Sequence, residues 1–163
     1  MEREFDGYRL HTSKDLFTGA QKKLIEAWAH GFQKPAETAI HLGLQKDTVL
    51  HTGQMIRDKM YEKVGTDHEA KAVTFAALNG WIDPIPFPDR LKRKLTNQET
   101  QILTFRALGL TKKEVADKLT ISPYIVDKNL GAIHHLLGNE SDYFAIAWAI
   151  IKVLKKKQPS EPK

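Results

Sequence analysis

Residues 95–138 read LTNQETQILTFRALGLTKKEVADKLTISPYIVDKNLGAIHHLLG, and each helix start in that run is written in side-chain chemistry. Thr96-Asn97-Gln98-Glu99 is a capping box, in which the threonine hydroxyl and the glutamate carboxylate each take a backbone N–H left free at the helix start. Ile102, Leu103 and Phe105, with Leu108 behind them, give the helix an apolar face. Gly109, able to take a positive φ, stops it. Thr111-Lys112-Lys113-Glu114 is a second capping box, ahead of a short helix with Val115, Ala116 and Leu119 on one side. Ser122-Pro123 opens a third helix, serine as N-cap and proline at the first helical position, where no N–H is missed. Val126, Leu130, Ile133 and Leu137 then fall three or four apart as one buried stripe. A short helix, a tight turn and a second helix is the helix-turn-helix arrangement, and Ala116 stands where the two helices cross.

The pattern LTxxExxIL, then GLTxKEVAxKLxIS, then V(x6)I(x3)LG resembles the LuxR-type (GerE-like) DNA-binding domain of bacterial transcription regulators. The match runs without a gap over residues 95–138, and a further helix from Ser141 follows where that family has its fourth. The resemblance implies a four-helix unit whose third helix enters the DNA major groove. It also implies that the fourth helix forms a dimer interface.

The same pattern occurs earlier in the chain. Thr18-Gly19-Ala20-Gln21 is again a capping box, Leu24 and Ile25 match Ile102 and Leu103, and Gly31 matches Gly109. Ala39 matches Ala116, Leu42 matches Leu119, and Leu44 matches Ile121. Val49, Ile56 and Met60 match Val126, Ile133 and Leu137. The register slips by one residue at Gln33-Lys34-Pro35, a turn able to absorb an insertion. The third helix of this copy is expected to run to Val64, before Gly65, with Asp67 capping a fourth. Gln45 stands where the family has a serine cap, so this copy departs further from the pattern.

Five segments follow: an N-terminal arm (1–15), a first LuxR-type unit (16–82), a proline-rich basic linker (83–94), a second unit with a long last helix (95–157) and a tail (158–163). The arm mixes charge with Phe5 and Tyr8 and is open to two readings, disordered or a short packed helix. Prolines 84, 86 and 88 predict a stiff, extended connector, and Asp89-Arg90-Leu91-Lys92-Arg93-Lys94 brings positive charge to the second unit. The last helix, from Ser141 to about Lys157, is apolar almost all round, whereas one that covers only its own unit needs a single stripe. The surplus face, with Phe144, Trp148 and Ile151, is expected either to form a dimer or partner interface or to pack on the first unit or the linker.

With Val49, Ile56 and Met60 buried, the free face of the first third helix carries Thr48, His51, Gln54 and Arg57, with Lys46 and Lys59 towards its two ends. Glutamine pairs with adenine and arginine with guanine. The second unit offers Ile125, Asp127, Lys128, Gly131 and His134, a poorer reading face, since Asp127 repels phosphate. Lys112 and Lys113, together with Lys92 and Arg93 of the linker, are the expected phosphate contacts. The first unit is therefore expected to do more of the base reading, and the second to supply phosphate contacts, dimerisation or both.

Composition agrees. Net charge is +5 with 28% charged residues, a balance that favours an anionic partner. There are no cysteines, which excludes disulfides and thiolate chemistry. His51, His134 and His135 have no metal-ligand spacing, and no glycine loop, carboxylate pair or serine nucleophile motif is present, so neither enzyme activity nor a cofactor is expected. With no membrane-spanning run or signal peptide, the expected location is cytoplasmic, in a bacterium, phage or mobile element. The expected fold is all-α, two tandem four-helix LuxR-type helix-turn-helix units joined by the linker. The expected function is sequence-specific binding of double-stranded DNA in transcription regulation, with a possible homodimer through the last helix. The competing expectation, supported by Leu50 and Asp127 on the reading faces, is an anti-activator that has lost DNA and docks on RNA polymerase or another regulator.

Overall fold

The computed structural model describes residues 16–64 and 69–154. The expectations for the arm, the Asp67 cap, the tail and the lysines that end the last helix lie outside the described residues. Eight α-helices and no strand are found among the described residues: α1 (Gly19–Ala29), α2 (Pro35–Leu42), α3 (Lys46–Val64), α4 (Glu69–Leu78), α5 (Asn97–Ala107), α6 (Lys112–Leu119), α7 (Pro123–Leu137) and α8 (Asp142–Trp148). The last of these widens into a π-helical stretch over Ala149–Leu154.

The caps form as their chemistry requires. Thr18, Thr96 and Thr111 each accept from the backbone N–H three residues on, and Gln21, Glu99 and Glu114 each bond back to the cap N–H. Ser122 accepts from the Ile125 N–H with Pro123 at the first position of α7. The repeat extends to the backbone. Gly31 and Gly109, at φ +99° and +90°, turn the chain out of α1 and α5. Beside them, the Phe32 N–H bonds the Ala27 carbonyl and the Leu110 N–H bonds the Phe105 carbonyl. Gly43 and Thr120 then take left-handed conformations to end α2 and α6. Ala39 and Ala116 are buried at the two helix crossings, and the stripes Val49/Ile56/Met60 and Val126/Ile133/Leu137 all face inward.

The halves do not stand apart. One continuous apolar cluster runs from Leu16 to Ile150 and includes buried side chains of both. Helix α4 packs on α8, α1 packs on α8, and α5 packs on α4. Exchanging α1 with α5 and α4 with α8 leaves that set of pairings unchanged. The fully buried Thr74 of α4 donates to the Ala107 carbonyl at the end of α5 at 2.5 Å, giving a helix-terminal carbonyl a partner from the other half.

One expectation is corrected and one choice between alternatives is decided. The proline segment is not an extended spacer: the Phe87 N–H bonds the Pro84 carbonyl in a turn, and Ile82 and Phe87 are buried. It is pinned by Glu26, which accepts from the Asp83 N–H at 2.8 Å, and by the Trp148 indole, which donates to the Pro88 carbonyl at 3.0 Å. Of the two occupants expected for the surplus face of the last helix, the structure shows the one within the chain for Phe144 and Trp148, in place of a dimer or partner interface. Phe144 lies 4.7 Å from Phe87, centroid to centroid, and Phe144 and Trp148 are both about 5% exposed. Their burial is within the chain, against the linker and the first half; Ile151 is half-buried beside them.

Candidate nucleic-acid interface

Helices α2 with α3, and α6 with α7, are the pairs expected as helix-turn-helix elements, and the two helices of each pair pack on each other. The inward stripe of α3 leaves Lys46, Thr48, His51 and Gln54 exposed. Lys113 and Lys128 are exposed on α6 and α7, as is Lys92 on the linker. Lys46, Lys113 and Lys128 form no ion pair among the described residues.

Other expected contacts are engaged inside the chain: a buried or cap-bound acceptor claims Lys59 and Arg93, and a surface carboxylate claims Lys112. Lys59 turns inward, donating to the Leu16 carbonyl at 3.0 Å and to Gln21 Oε1 at 2.8 Å, so it clamps the start of α1. Arg93 forks onto Glu99, two bonds of 2.8 Å, with Glu99 itself only 3% exposed. That carboxyl is held below its ordinary range by the Arg93 bond first, with the bonds to Thr96 adding to it against the effect of burial. Lys112 pairs with Asp127 at 2.8 Å across the helix crossing, and both side chains are at least half exposed. Asp127 therefore has a neighbouring cation.

Arg57 and His134 form a matched pair. Each follows the central isoleucine of its stripe, Ile56 or Ile133, and each reaches a carboxylate in the first turn of its own fourth helix. Arg57 Nη1 donates to Glu69 at 2.6 Å, and His134 Nε2 lies 2.7 Å from Asp142. Arg57 also donates to Gln54 Oε1 at 3.0 Å, and Gln54 in turn to Asp58 at 2.9 Å. Arg106, 13% exposed, adds its guanidinium to Asp142 at 3.2 Å. Burial alone raises the Asp142 carboxyl, but the His134 bond and the Arg106 charge outweigh it and hold the group low. On the other side, the Tyr143 phenol donates to Glu69 at 3.1 Å, from one half to the other. Burial raises that phenol, and the Glu69 charge adds to the shift.

Arg57 and His134, expected among the reading residues, thus each fasten a third helix to the start of the fourth helix in the same half. Sequence pattern missed Glu69, Asp142 and Tyr143 as their partners. The available signal was the acidic first turn of each fourth helix, which also suits the positive end of the helix dipole. The first half also exposes apolar side chains beside its reading face, Ile40 at 84% and Leu44 and Leu50 at 45%. No described helix is long and apolar enough to cross a membrane. Comparison with family models, curated proteins and solved structures returned no match.

Proposed function

We propose that the chain binds double-stranded DNA and regulates transcription, presenting two LuxR-type helix-turn-helix elements as the two halves of an intrachain pair. The observation that carries the reading is the repetition of one order of helices, with a capping box opening α1 and α5, the same buried stripes and the same backbone bonds at the turns, in two halves that pack on each other. Duplex DNA has a local two-fold relation between its strands, and paired reading helices suit half-sites on one face of it. Lys46, Thr48 and His51 on α3, and Lys113 and Lys128 on the second half, are the exposed donors on this surface. The net charge of +5 supports attraction to phosphate.

The test is selection from a random duplex pool with the purified chain. Enrichment of a defined sequence is the expected result; recovery of an unenriched pool counts against sequence-specific reading. The exposed Ile40, Leu44 and Leu50 favour a second reading, a protein-docking surface on the first half. Under that reading, substituting them with serine leaves DNA selection unchanged and abolishes capture of a regulator or RNA polymerase. Docking through α8 is not part of it, because Phe144 and Trp148 are buried.

A further inference from the structure

We infer that the DNA target is non-palindromic and is bound by one chain in a single orientation; this rests on the DNA-binding reading above. The first ground is that the pairing surface is used up. In the α4–α8 pairing each half serves as the other's partner, with Phe75, Ala76, Ile146, Ala147 and Ile150 all fully or almost fully buried. One chain already holds two candidate reading helices, α3 and α7.

The second ground is that the two reading faces differ at every aligned exposed position. Where α3 carries Lys46, Leu50, His51 and Gln54, α7 carries Pro123, Asp127, Lys128 and Gly131. At the start of the preceding helix, Pro35 and Ala36 of α2 stand where α6 has Lys112 and Lys113. The first half thus offers hydroxyl and imidazole groups suited to base edges, and its cation at the α2 start, the N-cap Lys34, is paired with Glu37 at 3.7 Å. The second half offers lysines suited to phosphate, and its carboxylate Asp127 is already paired with Lys112. A palindrome presents identical base edges to these unlike faces, so it satisfies at most one of them. The best duplex is one whose halves differ.

The absence of cysteine makes the test direct, because one introduced thiol is the unique attachment point for a DNA-cleaving iron chelate. Asp47→Cys and Tyr124→Cys lie at aligned, exposed positions near the starts of α3 and α7. Each full-length labelled variant is bound to the selected duplex, after its melting curve is shown to match the parent. Cleavage confined to one end with the first label and to the opposite end with the second, at one chain per duplex, is the expected result. Cleavage at both ends by each label, or two chains on a palindromic site, overturns the inference while leaving the DNA-binding reading intact. Failure to select any sequence overturns the reading itself and the inference with it.

Discussion

At the residue scale, the strongest claims concern two acids held ionised by cations from other segments. Glu99 and Asp142 have folded pKa values below their ordinary ones, so the stability they contribute is complete above the unfolded-chain value of about 4 and is lost as pH falls through the folded values. Asp142→Asn removes the partner of His134 and Arg106 and leaves a mostly buried guanidinium without its counter-charge. The expected cost at pH 7 is about 2–3 kcal/mol, below the range for fully buried pairs because water still reaches the site. Urea melts from pH 3 to 7 check this: the variant has the lower plateau and the shallower acid limb. Neutralising Glu99 as Glu99→Gln flattens the acid limb in the same way and removes the Arg93 clasp that ties the linker to α5.

At the scale of elements, the caps and turns were legible because their chemistry is local. Thr96 with Glu99, Thr111 with Glu114 and Thr18 with Gln21 all occur within four residues, and all three close as expected. Thr96→Ala and Thr111→Ala should each lower stability by about 1 kcal/mol, measured by chemical denaturation. Gly31 is a harsher position. Its φ of +99° is already unfavourable for alanine, and a methyl there would meet the Asn139 side chain at 2.6 Å. Gly31→Ala is expected to cost about 1–3 kcal/mol, more than either cap, and Gly109→Ala, against Lys71, should behave alike. What escaped the sequence was long-range. The spacing of Arg57 and Gln54 marks an exposed face, yet nothing local in the sequence tells that Glu69 will claim Arg57 or that Gln21 and the Leu16 carbonyl will claim Lys59. The prolines pointed to an extended connector, whereas the segment turns back on the core, its course set by burial of Ile82 and Phe87.

At the scale of the whole molecule, the apolar surplus on α8 was visible in sequence, whereas its occupant was not, because a single chain that pairs with itself and a dimer require the same surface. The shared core has a thermodynamic consequence. Cluster residues from both halves interdigitate, so the chain should unfold in one cooperative transition, with near-ultraviolet and far-ultraviolet circular dichroism coincident. Trp148→Ala, which deletes a buried aromatic and its bond to the Pro88 carbonyl, should lower the stability of both halves together by about 3–5 kcal/mol. Two separate transitions would contradict the shared core.

The central claim is that two paired helix-turn-helix elements meet duplex DNA, and the salt dependence of binding to the selected duplex tests it most directly. Neutralising phosphates releases counterions, so log K should fall steeply and linearly with log salt. Lys46→Ala, Lys113→Ala and Lys128→Ala should each weaken binding and reduce the slope by about 1. Binding that is insensitive to salt, or a slope that none of the three substitutions changes, would contradict the account.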